Sequence, residues 1–370
     1  MRITYLSVID MQGASTIRLH NYAVEMARLG HDVTFIAAAG PKRAAENVKT
    51  KYMWEVKEKP FRGLSLTASS FFSLLEEGKP DIIHFGKPLP VSGLPSILYK
   101  KIFPCSVICD WDDLEGSSGF SEFRPFPEKQ VISFFESWIP EQVDGIVVVS
   151  KALEKLARKH CKKVLYLPQL ALVDKFGPHV SGAEMRKRYG WGKKKILLFT
   201  GGFGKYSDAD VCVKAMKHVL KEEDALLALF GSGETKSLIK KMIMELGLEG
   251  NVKVYDAIPF EEMPKLLAAA DVLLAPMSDK WANNFYRLPV KMFEYMAAGK
   301  PIVAQDVGEA RRTLGNAAYI TKPTEGDFAR GIVKALRGGK RIGLNARKRA
   351  EKEFTTKQVK RLETFYESFV

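Results

Sequence analysis

The sequence predicts an α/β fold of two doubly wound domains, each a parallel sheet covered by helices on both faces. Three observations carry that expectation. The chain has 370 residues, more than one hydrophobic core usually spans, so two domains of about 150 to 200 residues each are expected. Short, nearly continuous apolar runs alternate with amphipathic stretches, as strands buried on both faces do. The alternation also begins afresh near residue 193, after a stretch at 168–192 with Pro168, Pro178 and several glycines, which reads as the linker.

The elements follow in order. "RITYLSVI" is a strand, Gly13 lies in the loop after it, 16–29 is amphipathic and stopped by Gly30, and "DVTFIAAA" is a second apolar run, which together make one βαβ unit. Similar runs recur at "DIIHFG" (81–86), "CSVICDW" (105–111) and "DGIVVVS" (144–150). The second half reads as "KKKILLFTGG", a helix near 208–221, "ALLALFGSGE", a helix near 235–246, "NVKVYDAI", a helix near 260–269 and "ADVLLAPM". It continues with a helix inside "KMFEYMAAGKPIVAQDVGEA" (291–310), the strand "KPIVAQD" and a short run "AAYI" at 317–320. At the end, Phe354, Val359, Leu362, Phe365, Tyr366 and Phe369 fall near helical spacing and need an apolar surface. The expected domains are 1–170 and 171–352, with 353–370 docked back as a terminal helix.

Composition narrows the function classes. With 46% hydrophobic, 11% aromatic and 27% charged residues, the chain is globular rather than disordered. The opening "MRITYLSVID" is too short and interrupted for a signal peptide, and no run approaches the 18 or more apolar residues of a spanning helix, so a cytoplasmic location is expected. Cys105, Cys109, Cys161 and Cys212 lack the partners of a zinc site and read as buried free thiols. The net charge is +14, with 22 Lys/Arg against 19 Asp/Glu in residues 1–170 and 35 against 24 in 171–370. A basic second half suits an anionic ligand or a lysine-rich solvated surface. The basic residues form no aromatic-interleaved stripe, so nucleic acid is not an expected partner.

In open parallel sheets ligands bind beyond the carboxyl ends of the strands. Gly13 stands there before a helix, either offering N–H groups to an anion or simply letting strand turn into helix. His84 ends "DIIHF" and Asp110 ends "SVICD", so both are candidates to orient or deprotonate a hydroxyl, against the alternatives of a core histidine and a capping aspartate. The acidic cluster "DWDDLE" is by itself slight evidence for a metal, and none is expected. In the second half, "LLFTGGFGK" places Gly202 and Lys205 after one strand, and "LLALFGSGE" places Gly231 after the next, a pair of loops suited to phosphate.

The stretch "NNFYRLPVKMFEYMAAGKPIVAQDVGEA" resembles the signature of retaining glycosyltransferases of the GT-B fold, family 4. "EMARLGHDVTFIA", "VVVSKALEK", "FGSGE" and "VYDAIPFEEMPKLLAAADVLLAPM" extend the resemblance over the whole chain. It implies two Rossmann-like domains facing across a cleft, with a C-terminal helix returning to the N-terminal domain. Glu294 matches the second glutamate of the family's E-x7-E motif and would grip the ribose hydroxyls. The first glutamate is replaced by Tyr286, and residues 286–289, Tyr286, Arg287 and Leu288 among them, would turn toward the diphosphate, with Arg287 or Lys291 in reach of it. The family's phosphate-binding arginine is here Gly202, and Lys205 stands slightly earlier than the usual lysine. Asp110 matches the aspartate of the family's His-Asp pair, Cys109 replaces the histidine, and Gly308-Glu309 resembles a shortened Gly-Gly-x-x-Glu segment.

The implied reaction moves a sugar, with retention, from a UDP- or GDP-linked donor to the hydroxyl of a glycan, a lipid-linked acceptor or a small molecule. No metal or other cofactor is implied, and His84 and Asp110 would position the acceptor. The alternatives are a nucleotide-sugar 2-epimerase on the same fold and a non-catalytic nucleotide-sugar binder. "LPSILYKKIF" (94–103) and "FRPFPEKQVISFFESWI" (123–139) mix apolar, aromatic and basic residues, as peripheral membrane contacts do and as packed helices also do.

Overall fold

Thirteen strands in two sheets carry the computed structural model, which describes residues 1–9, 13–38, 47–54, 61–116 and 118–370. The chain divides into two units. The first comprises Met1–Leu170, Tyr286–Leu288 and Thr356–Val370, and the second Ala171–Phe285 and Pro289–Thr355.

In the first unit, β1 (Arg2–Ser7), β2 (Asp32–Ala37), β3 (Lys49–Tyr52), β4 (Ile82–Gly86), β5 (Ser106–Trp111), β6 (Gly145–Val148) and β7 (Val164–Tyr166) form one sheet in the order β3-β2-β1-β4-β5-β6-β7. Every pairing is parallel. The helices are α1 (Ala14–Arg28), α2 (Phe61–Glu76), α3 (Pro90–Ile102), α4 (Glu128–Gln142) and α5 (Lys151–Ala157). Strand order reverses between β1 and β4. Right-handed crossovers therefore put α1 on one face and α2, α3 and α4 on the other. β4 is buried along its whole length, as its apolar run requires. β3 and β7 have no such run in "KTKY" and "VLY", which is why the sequence pattern passes over them. Edge strands meet a partner on one side only, so less burial defines them.

The second unit repeats the scheme with β8 (Lys195–Thr200), β9 (Ala225–Phe230), β10 (Val252–Tyr255), β11 (Val272–Ala275), β12 (Ile302–Gln305) and β13 (Tyr319–Thr321), all parallel, in the order β10-β9-β8-β11-β12-β13. Its helices are α6 (Ala183–Arg188), α7 (Ala209–Val219), α8 (Lys236–Glu245), α9 (Met263–Ala269), α10 (Val290–Ala298), α11 (Ala310–Leu314), α12 (Glu325–Gly338) and α13 (Lys340–Glu353). The core joins Leu197, Phe199, Leu227 and Leu229 of the strands to Val213 and Met216 of α7. Here the order reverses between β8 and β11, so a ligand position is expected beyond those two strands. α10 buries Met292, Phe293, Tyr295 and Met296 and ends at Gly299, whose φ of 70° is left-handed.

The last helix, α14 (Thr356–Glu367), belongs to the first unit. Val359, Leu362 and Tyr366 are buried, and the Tyr366 hydroxyl lies 3.0 Å from that of Tyr5 on β1. Phe354, grouped by its spacing with this helix, instead packs on Phe293 of α10 in the second unit, with ring centroids 5.0 Å apart. All four cysteines are free, Cys109 and Cys212 buried as expected and Cys105 and Cys161 only half-buried.

Candidate functional site

In the second unit the two glycine loops meet backbone to backbone where β8 and β9 end. A Cβ on Gly231 would fall 1.9 Å from the Gly201 carbonyl oxygen, so only glycine fits. The Phe203 amide donates to the Ser232 carbonyl at 2.8 Å, and the Phe203 carbonyl accepts from the Thr235 amide and hydroxyl at 2.9 and 2.8 Å. Gly201, with φ at 147°, leaves its Cα face open to the Lys291 ammonium. A Cβ there would lie 2.7 Å from Lys291 Nζ. The same ammonium stands 3.9 Å from the centre of the Phe199 ring, a cation–π contact.

α10 is fastened to this loop by Tyr295, whose hydroxyl accepts from the Thr200 amide at 3.0 Å and lies 3.0 Å from the Thr200 hydroxyl. Lys291 and Glu294, three residues apart and both half-buried, share one face of the helix. The N-cap is Pro289, which has no side-chain group to satisfy the first amides. The structure thus joins Gly231, the Gly201–Lys205 loop and Lys291 into one cluster at the reversal of strand order, with Glu294 on the same helix. Gly202 and Lys205 are exposed on that loop.

The side chain that holds the neighbouring loop in place is one that the motifs do not single out. Asp208, buried at the start of α7, accepts from the Ser278 amide at 3.0 Å, the Ser278 hydroxyl at 2.6 Å and Asn284 Nδ2 at 3.0 Å. Asn284 Nδ2 also donates to the Ser278 carbonyl at 2.7 Å. "SDAD" before an amphipathic run suggests a cap, yet the Asp208 side chain makes no cap bond to its own helix. The nearby Gly308, at φ 55°, packs against the Asn284 carbonyl, and Glu309 is buried with its carboxylate 3.2 Å from Arg312 Nε.

Tyr286, Arg287 and Leu288 belong to the first unit rather than to the unit that carries Lys291 and Glu294. Leu288 is buried, Tyr286 and Arg287 are half-buried, and Arg287 acts electrostatically on Asp113. Gly13 is the extended N-cap of α1, with φ −65° and ψ 139°, a conformation open to any residue.

His84 and Asp110, expected from the sequence to position the acceptor, engage Tyr366 and Arg18 within the first unit. Both are interior groups, 0% and 2% exposed. Arg18 Nε donates to both Asp110 oxygens, at 2.8 and 3.1 Å, and Arg18 Nη2 to the Leu167 carbonyl at 2.8 Å. His84 Nε2 lies 3.5 Å from Asp110 Oδ2, and its Nδ1 bonds the Tyr366 hydroxyl. Burial works against the Asp110 charge, but Arg18 and His84 outweigh it and hold the carboxyl below its usual range. Burial likewise keeps the His84 imidazole pKa low. An ion pair locked in this way ties β5 to α1, while His84 carries it on to the terminal helix.

The acids of "DWDDLE" do converge, with ligand atoms of Asp112, Asp113 and Glu115 within 4.8 Å of one another. A lysine occupies their centre. Lys87 Nζ stands 3.4 Å from Asp112 and 3.2 Å from Asp113 and bonds Glu115. Even so, burial pushes the Asp113 carboxyl up to about 7.

Residues 182–353 match the family described as glycosyl transferases group 1, and residues 15–164 match Glycosyltransferase Family 4. The putative glycosyltransferase YtcC of Bacillus subtilis is 27% identical over 335 residues, 82% of this chain and 74% of that protein. A GDP-mannose-dependent alpha-(1-6)-phosphatidylinositol monomannoside mannosyltransferase of Mycolicibacterium smegmatis is 28% identical over 167 residues, and the match spans only 44% of either chain. Among solved structures, the sucrose-phosphate synthase of Thermosynechococcus elongatus superposes with a TM-score of 0.80 at 17% identity, covering 100% of this chain and 99% of that one. Anabaena HepE, solved with UDP and glucose, gives 0.79 at 14% identity with both chains fully covered. With one glycosyltransferase family model on each half and GT-B enzymes as its structural neighbours, the chain belongs to the group 1, family 4 glycosyltransferases of the GT-B fold.

Proposed function

We propose that this chain transfers a sugar, with retention of configuration, from a UDP- or GDP-linked donor to an acceptor hydroxyl on a glycan or lipid-linked molecule. The observation that carries the proposal is the Lys291 ammonium set against the backbone of Gly201, with Glu294 one turn further along α10. As the glycosidic bond to the nucleotide breaks, negative charge gathers on the departing diphosphate. Lys291, Lys205 and the loop amides stabilise that charge from fixed positions, which needs no resident metal. Glu294 accepts two hydrogen bonds from the ribose hydroxyls. The leaving phosphate takes the acceptor proton, so no protein nucleophile is required.

The experiment replaces Lys205, Lys291 and Glu294 singly, by Met, Met and Gln, and follows donor consumption and nucleotide release in protein of unchanged fold. Losses of about two to three powers of ten are expected from the lysine nearest the diphosphate. Unchanged rates in all three variants reject the site. Donor incubated without acceptor separates the rival readings, because a 2-epimerase converts the sugar there and a binding protein leaves it intact.

The acceptor domain also supports peripheral membrane contact at the cytoplasmic face. Leu98 and Ile102 on α3 and Phe126 and Phe134 at α4 are 49%, 59%, 81% and 60% exposed, bulky apolar groups of the kind that enter the interfacial layer. Among the described residues no helix is long and apolar enough to cross a membrane. Sedimentation with liposomes, wild type beside Phe126→Ser/Phe134→Ser, tests the contact, and equal recovery of both in the supernatant refutes it.

A further inference from the structure

The first unit segregates its charge. Residues 1–150 hold 16 Lys/Arg against 18 Asp/Glu, whereas residues 151–163 hold six against one, and residues 356–370 add three against two. The fold brings these two basic segments together along the edge strand β7. Tyr166 is the junction, with Lys151 Nζ 4.4 Å from its ring centre and Arg361 Nη2 donating to its carbonyl at 2.8 Å. Lys163, just before the strand, donates to the Ser368 carbonyl at 2.7 Å and lies 3.9 Å from the Phe369 ring.

A groove of about 590 Å³ runs beside this strand, lined by Leu165, Thr356, Lys357, Lys360, Arg361 and Thr364. Three basic residues and two threonines are among those lining residues, and no acidic residue is. Arg361 is already oriented there by Tyr166 and by Gln358 Oε1, at 2.6 Å from its Nη1. A second hollow of about 360 Å³ holds Lys162 and Lys163 together with Asp144, whose carboxylate is paired with Lys100. Lys155, Lys159, Lys162, Lys163, Lys357 and Lys360 are all exposed.

We propose that this strip is a docking surface for an anionic glycan, a chain bearing phosphate, sulfate or carboxylate groups. Solvated lysines scattered over a whole domain would only raise solubility. Cations gathered on one edge beside a neutral remainder raise the local concentration of a partner of opposite sign. The large exposed apolar side chains of the α3 and α4 region lie on other elements, which disfavours a bilayer at the strip. The rings of Tyr166 and Phe369 lie under lysines instead of offering open faces for bases, which disfavours nucleic acid. Basic side chains spaced along the groove suit a sugar chain with spaced anions.

The test uses the full chain and fluorescein-labelled heparin as the probe, with anisotropy read at rising NaCl beside neutral dextran, phosphatidylglycerol vesicles and single-stranded DNA. It needs no turnover, so its result is independent of the donor site. Heparin should bind and dextran should not. Lys162→Glu/Lys357→Glu/Lys360→Glu should weaken heparin by at least about tenfold and flatten the slope of log affinity against log salt by about two to three. The control Lys193→Glu/Lys194→Glu/Lys221→Glu, on exposed lysines of the second unit, should stay within about twofold, with both variants matching the wild type in circular dichroism. Absence of heparin binding, or equal weakening by both triples, overturns the strip. Tighter strip-dependent binding of vesicles or DNA than of heparin overturns the glycan as its occupant.

Discussion

Replacing Arg18 by Met should cost the first unit about 3 to 5 kcal/mol, because it removes one partner of a buried ion pair and leaves the other behind. Arg18 and Asp110 are 0% and 2% exposed, and both Asp110 oxygens take a hydrogen bond from Arg18 Nε. Methionine fills much of the stem volume, so the loss is electrostatic rather than a cavity. His84, whose own protonation burial opposes, cannot replace the missing charge.

The sign with pH follows. In the wild type the Asp110 pKa is depressed, so its contribution is present above the unfolded carboxyl pKa and disappears as pH falls through the folded one. In Arg18→Met burial acts unopposed by Arg18, the carboxyl rises, and protonation in acid relieves the penalty. The difference between the two proteins should therefore be largest near pH 7 and shrink toward pH 4. Urea unfolding followed by circular dichroism measures it, with calorimetry resolving the two units because a two-domain chain need not unfold in one step. Arg18→Met/Asp110→Asn should cost less than the sum of its singles, by about 1 kcal/mol or more. A penalty under about 1 kcal/mol, or one independent of pH, would refute the assignment of Asp110 as a structural carboxylate.

Other outcomes follow from single contacts. Asp208→Ala should raise the donor KM and lower kcat, since it releases Ser278 and Asn284, while Asp208→Asn should recover most of the loss. Its oxygen can still accept from the Ser278 amide and Asn284, and its amide can donate to the Ser278 hydroxyl. Equal kinetics for the Ala, Asn and wild-type proteins would exclude a positioning role. Gly231→Ala should lower stability by about 1 to 3 kcal/mol by forcing its loop off the Gly201 carbonyl, read as a shift of the second unit's thermal transition. Asp113, 17% exposed and raised to about 7 by burial, favours the fold below its unfolded pKa and loses that contribution as pH rises from about 4 to about 7. Asp113→Asn should therefore flatten the stability profile across that window, and an unchanged profile counts against the shift.

The strand and helix alternation was legible from the residues alone, because apolar runs long enough to be buried on both faces have few other solutions. So were the repeat of that scheme in two domains and the family signature around Glu294. The glycine loops at 201 and 231 were also legible, since close backbone approach leaves a residue-type trace. Long-range pairing, by contrast, was settled only by the folded arrangement. Asp110 and His84 sit at strand ends, where function is expected, but Arg18 and Tyr366, 92 and 282 residues away from them respectively, turn them into interior cross-links. Asp208 looks like a helix cap and instead holds a loop 70 residues on. The edge strands β3 and β7 escape the pattern because one open side removes the need for a continuous apolar run. The basic strip exists only once α14 lies beside β7, since charge in a sequence has amount and order but acquires direction only when the chain folds.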